Sequence, residues 1–241
     1  MKTIGLIGGM SWESTVTYYK IINETIKREL GGLHSARCVL YSLDFDEIEN
    51  CQARGEWEKS GEILADAGEI LEKAGADFIV ICTNTMHKVV DVIKKKVTVP
   101  ILHIAEVTAD EILSKNIDEI VLLGTKYTME QDFYKSKLIE KGINVIIPDK
   151  NDIEFINKTI YEELCLGIIN ENSKKRFLEI VNRLSENGKK GVILGCTEIG
   201  LLINQKDTEI PLFDTTLIHA EKAGLYAINK YCSLNINNKK E

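Results

Sequence analysis

The feature that most constrains this chain is an internal echo. Residues 4–12 read IGLIGGMSW and residues 120–128 read IVLLGTKYT, each a buried-strand pattern ending in Gly and running through a polar loop into a helix. Further on, ADFIVICTNT at 76–85 is matched by KGVILGCTEI at 190–199. Each of these precedes a short apolar segment with a proline, VTVPILH at 97–103 and TEIPLFD at 208–214. Order is kept, and the separation from Gly8 to Thr83 nearly equals that from Gly124 to Cys196. One α/β unit used twice, rather than a tandem array, accounts for this.

Short β-branched runs alternate with longer helical patterns, which predicts parallel sheets flanked by helices. Strands are expected at 3–7, 37–43, 78–82, 101–103, 119–123, 144–147, 191–194 and 212–213. Helices are expected at 13–28, 57–73, 85–95, 105–114, 129–141, 152–166, 174–187 and 219–230. The proline-containing segments near 100 and 211 are natural crossing points. They place a first domain at 1–103 plus 212–241 and a second at 104–211, related by a pseudo-twofold with a cleft between them; one continuous sheet is the alternative. The polar tail from Ser233 reads as frayed.

At 241 residues the chain can bury a core without a disulfide or metal staple. A net charge of −7 argues against a nucleic-acid partner. No apolar run approaches the roughly 20 residues of a membrane span. The N-terminal stretch reads as a buried strand, not a signal peptide, so no membrane association and a cytoplasmic address are expected. The six cysteines show no C-x-x-C pairing and read as thiols.

Ligands of open parallel sheets bind beyond the carboxyl ends of strands. That rule selects Gly8–Ser14, Thr83–His87, Gly124–Thr128 and Cys196–Glu198. The Gly8-Gly9 loop lacks G-x-G-x-x-G and the phosphate-loop pattern, which argues against a dinucleotide or nucleoside triphosphate. Thr83, Asn84 and Thr85 follow an apolar run, where they serve as helix cap, carboxylate donors or both. Cys196 enters a helical pattern, a setting that lowers a thiol's pKa; a buried inert cysteine is the other reading. Across the repeat Cys196 corresponds to Thr83. Two proton-handling groups on opposite faces of one carbon are what a racemase requires. No histidine shows metal-ligand spacing, so no metal is expected; His87 reads as a core or helix-face histidine or as support behind the pair.

GLIGGMSWEST at 5–15, TNTMHK at 83–88, LLGT at 122–125 and GCTEIG at 195–200 resemble the aspartate/glutamate racemase family, over essentially the whole chain. The resemblance implies two similar α/β domains, an active site between them, a homodimer, a small-molecule amino-acid substrate and catalysis without pyridoxal phosphate or metal. The family's first catalytic cysteine, in C-N-T-x-H, falls on Thr83 here and not on Cys82. The second falls on Cys196, and some members share this Thr/Cys pair. By the same resemblance Cys196 is the base toward the L-isomer of aspartate or glutamate, and Thr83 donates the proton on the opposite face. It further implies substrate contacts from Met10, Gln52, Asn84, Thr85, Thr125 and Thr197. Arg54 is the candidate for the acidic side chain, with Lys126 behind it, because a carboxylate needs a cationic partner. Where the family often has lysine this chain has Cys165. Glu198 is a candidate proton relay or helix-dipole partner. A related one-thiol decarboxylase or isomerase, and a non-catalytic amino-acid-binding protein, are the competing readings.

Overall fold

A computed structural model describes residues 1–186 and 190–232. The chain divides into two compact units, Met1–Val107 with the segment from His219 onward, and Thr108–Ile218. Each carries a four-stranded, wholly parallel sheet flanked by helices.

In the first unit the strands β1 (Ile4–Gly8), β2 (Cys38–Ser42), β3 (Phe78–Ile81) and β4 (Ile101–Leu102) lie in the order β2-β1-β3-β4. β1 and β3 are buried along their whole length, as their unbroken apolar runs require of central parallel strands. Helix α1 (Trp12–Leu30) is capped by the Ser11 hydroxyl, which accepts from the Ser14 N–H, and it buries Tyr18, Ile22 and Ile26 on one face. Helix α2 (Phe45–Arg54) starts at the Asp44 cap and stops at Gly55, which has a left-handed φ of 71°. Helix α3 is Trp57–Lys73, the span expected from its periodicity. Ile7, Ile48, Leu64, Leu71, Ile79, Ile81 and Ile93 form the core between sheet and helices.

In the second unit, β5 (Glu119–Gly124), β6 (Asn144–Ile146), β7 (Gly191–Gly195) and β8 (Leu212–Asp214) repeat the same pattern, β6-β5-β7-β8. Helices α8 (Lys150–Glu162) and α9 (Glu171–Leu184) cover it. They are tied together by the buried Asp152 carboxylate, which accepts from Arg176 at 2.9 Å and from Arg183. The echo read in the sequence is thus the pairing of β1 with β5, β3 with β7 and β4 with β8 as equivalents.

Four expectations need correction. The second unit extends through β8 to Ile218, because Leu212–Asp214 pairs with β7. The prolines open fourth strands and are not linkers: Val192 N–H donates to the Pro211 carbonyl as Ile79 N–H does to that of Pro100. The chain crosses instead within helices α5 (Ile104–Ser114) and α11 (Thr215–Ala227). The helix expected at 85–95 is a 3-10 turn, Thr85–Val89, followed by the single turn α4 (Val90–Ile93). The helix expected at 129–141 is broken at Gln131, whose ψ of 155° is extended, into α6 (Lys126–Glu130) and α7 (Asp132–Ile139). Helix α2 was not anticipated, although Asp44 and Gly55 are ordinary start and stop signals. The tail from Ser233 and the end of the helix expected at 174–187 fall outside the described residues.

Three buried histidines gather in the first unit, with the His87 ring 4.6 Å from His103 and 5.7 Å from His219. Burial lowers the pKa of His87 to about 4 and, with His87 nearby, that of His219 to about 3. Both values lie below the 6.5 of free histidine, so on acidification the unfolded chain takes up these protons first. Their contribution is complete above pH 6.5 and drains as the pH falls toward 4, at about 1.4 kcal/mol per pH unit for each ring. The urea midpoint is therefore expected to fall between pH 7 and pH 5 while both imidazole NMR signals of the folded protein stay at neutral positions. A constant midpoint contradicts this.

Candidate active site

Parallel strands buried on both faces offer their polar residues where the chain leaves the sheet, and each unit does so beyond its two central strands. In the first unit β1 leads into Gly9-Met10-Ser11. Gly9 has a φ of 90°, and a Cβ there would overlap the Leu43 backbone, so glycine is required. The Gly9 N–H donates to the Thr15 hydroxyl at 2.8 Å, and the Ser14 hydroxyl donates to the Cys82 carbonyl at 3.3 Å. The β1 loop is thereby fastened to the segment after β3.

That segment carries Thr83, Asn84 and Thr85. Thr83 is half-buried, and Asn84 and Thr85 are buried. Strand β3 ends at Ile81, and the Cys82 thiol just beyond it is wholly enclosed, with its pKa pushed up by burial. Met10 is buried. Gln52, near the end of α2, is buried with its amide donating to the Met86 sulfur at 3.1 Å, which links α2 to the 83–87 segment. Arg54 is exposed on the last turn of α2. Met10 packs in the same core as Met86, to which Gln52 is bonded, so Met10, Gln52 and the 83–87 segment belong to one region of the first unit.

In the second unit the carboxyl ends of β5 and β7 pair at Gly124 and Gly195. A Cβ on Gly195 would meet the Leu123 carbonyl oxygen at 2.6 Å, so a residue without a side chain must precede Cys196. Thr125 caps α6, accepting from the Thr128 N–H at 3.3 Å. The Lys126 ammonium is paired with Glu154.

Cys196 is buried, and its Sγ–H donates to Glu198 Oε2 at 3.0 Å. The Thr197 hydroxyl donates to the same oxygen at 2.6 Å. The expected lowering of the thiol's pKa is overturned. The helix that follows, α10 (Ile199–Leu202), is a single turn, while burial and then the negative charge of Glu198 push the Cys196 thiol well above its ordinary value. Cys196 therefore rests as a thiol that already points its proton at a carboxylate. Glu198, the residue that precedes α10, thus faces the sulfur through its Oε2.

One carboxylate went unnoticed in the sequence. Asp214, at the end of β8, caps α11 through the Thr216 and Leu217 N–H groups, and burial raises its pKa. Its repeat equivalent His103 likewise accepts the Ala105 N–H at the start of α5, and that correspondence was the available signal. Among the described residues, no group of three or more His, Cys, Asp or Glu side chains is placed to hold a metal ion, and no helix is long and apolar enough to cross a membrane.

Each of the two four-stranded parallel α/β units thus carries polar residues beyond its central strands. The family model for Asp/Glu/hydantoin racemase matches residues 7–223, and the chain belongs to that family. Among solved structures, it is similar to a candidate Asp/Glu racemase from Yersinia pestis. Identity is 55%, TM-score 0.89, with 95% of this chain and 100% of that one covered. An aspartate racemase homologue from Pyrococcus horikoshii is 39% identical with a TM-score of 0.81, over 95% of this chain and 100% of that one. The broad specificity amino-acid racemase RacX of Bacillus subtilis is 25% identical, over 88% of this chain and 92% of its own. The protein is thus an enzyme of the amino-acid racemase class, an isomerase.

The Cys196–Glu198 contact carries a direct expectation. Glu198→Gln removes the negative charge that disfavours the thiolate, so the pH midpoint for alkylation of Cys196, scored by peptide mass spectrometry, moves down. An unchanged midpoint contradicts the contact.

Proposed function

We propose that the protein racemises an acidic amino acid, aspartate or glutamate, by proton transfer between Cys196 and one face of the α-carbon and Thr83 and the other. The observation that supports this most is the Sγ–H of Cys196 directed at the Glu198 carboxylate. Glu198 takes the sulfur's proton, and the thiolate so formed removes the α-proton of the L-isomer. The Thr83 hydroxyl gives its proton to the opposite face. The second-unit pair then holds one proton more than at rest and Thr83 one fewer, and exchange with solvent restores both.

A hydroxyl in Thr83's position fits a donor and not a base. An aliphatic alcohol is a far weaker acid than a thiol, yet a carbanion takes its proton readily. Because enantiomers have equal free energy, kcat/KM must still balance in the two directions; the asymmetry lies in which face exchanges its proton easily. In this reading Met10, Gln52, Asn84, Thr85, Thr125 and Thr197 surround the substrate, and Arg54 meets its side-chain carboxylate. A homodimer in the cytoplasm is part of the same reading.

Chiral chromatography of L- and D-aspartate and glutamate reactions tests it. Cys196→Ser is expected to lower turnover by about 10²- to 10⁴-fold, while Thr83→Cys, which supplies a second thiol, raises turnover of the D-isomer. Normal activity in Cys196→Ser would sink the mechanism. Turnover of a malonate or maleate without α-deuterium exchange in D₂O would point to a one-thiol decarboxylase or isomerase instead. Binding without any exchange, indifferent to Cys196→Ala, would point to a non-catalytic binding protein.

A further inference from the structure

The 3-10 turn after Thr83 has an identifiable cause. In an α-helix the Thr83 carbonyl would accept from the main-chain N–H of His87. Here it lies 2.8 Å from the Nδ1 of the His87 ring, and the His87 N–H turns to the Asn84 carbonyl one residue later, at 3.1 Å. The other ring nitrogen, Nε2, lies 3.2 Å from the Ile104 N–H at the start of α5. A main-chain N–H can only donate, so Nε2 must hold a lone pair and Nδ1 must carry the hydrogen. The direction of the first contact follows: His87 Nδ1–H donates to the Thr83 carbonyl.

The ring has little freedom to leave this arrangement. It is buried, with the edges of His103 and His219 packed on it. The His219 ring is itself fixed. Its Nε2 lies 2.8 Å from the Leu102 carbonyl and so carries the hydrogen, and its Nδ1 accepts from the Tyr18 hydroxyl at 2.9 Å. Two rings thus join the segment after β3 to the segment after β4 and to α1. Thr83, two residues beyond the last residue of β3, lies outside the sheet's own ladder.

Resting on the racemase reading above, we infer that His87 is the positioning residue for Thr83: its Nδ1–H holds the Thr83 carbonyl and so aims the Thr83 hydroxyl at the substrate's α-carbon. Burial keeps the ring neutral, as the Nε2 contact requires. His87 exchanges no proton with the substrate. It decides whether the donor on one face is in place, while the Cys196–Glu198 pair on the other face is untouched.

This predicts a split that loss of folding would not produce. In D₂O, L-glutamate or L-aspartate can gain α-deuterium with retention, through Cys196 alone, or with inversion, which also needs Thr83. His87→Phe keeps the ring and removes both hydrogen bonds. Its inversion rate is expected to fall about ten- to hundredfold, the scale of an ångström-sized misplacement, while exchange with retention persists. His87→Asn, which keeps a donor for the Thr83 carbonyl, is expected to recover most of the inversion-to-retention ratio. An unchanged ratio in His87→Phe, or a parallel loss of both rates in a variant whose circular dichroism and melting match wild type, overturns the inference. Should His87→Phe not fold, His87→Asn and His87→Gln decide it: a ratio kept in the first and lost in the second supports the role, and equal ratios overturn it. Wild-type protein that neither inverts nor exchanges any acidic amino acid is a different failure, that of the racemase reading itself.

Discussion

A parallel strand buried on both faces presents chemistry past its carboxyl end, and the candidate site residues of this chain follow from meeting that constraint in both units. β1 and β3 in one unit, and β7 in the other, are apolar throughout, and β5 is apolar after Glu119. Each central pair ends where the chain must turn sharply. Gly9 and Gly195 stand where a side chain would strike neighbouring backbone. Beyond those ends lie Ser11, Thr83, Thr125 and Cys196, with hydrogen bonds of their side chains or backbone to neighbouring residues.

The two units answer the same constraint with different chemistry. Beyond β7 a thiol and a hydroxyl both donate to one buried carboxylate, which in the proposed mechanism takes the sulfur's proton. Beyond β3 the Thr83 segment is held through its backbone by a neutral histidine. A weakly acidic hydroxyl needs aim more than activation. The contrast matches a base on one side and a donor on the other.

Much of this was legible in the sequence, for physical reasons that also mark its limits. The alternation of buried strands and amphipathic helices recovered all eight strands among the described residues, and the echo of IGLIGG in IVLLGT foretold two sheets of one topology. Boundaries that depend on pairing were less visible. Nothing local in TEIPLFD says that its strand joins β7 rather than returning to the first sheet. The interruption at 85–95 arises from a side chain taking a carbonyl that the helix would have used, which periodicity does not register. The site followed the same division. Residue identities at the strand ends offered Thr83, Cys196 and Glu198 as candidates, but the protonation state of Cys196 depends on burial and on which atom faces the carboxylate. A helix-terminus argument gave the opposite sign.

The central claim is that the two faces of the substrate meet unequal proton carriers. Wild-type enzyme incubated in D₂O with each enantiomer separately, at low conversion, tests it most directly. The account predicts α-deuterium incorporation with retention from the L-isomer, through Cys196 and Glu198, and from the D-isomer incorporation only with inversion. Equal retention exchange from both enantiomers would contradict it.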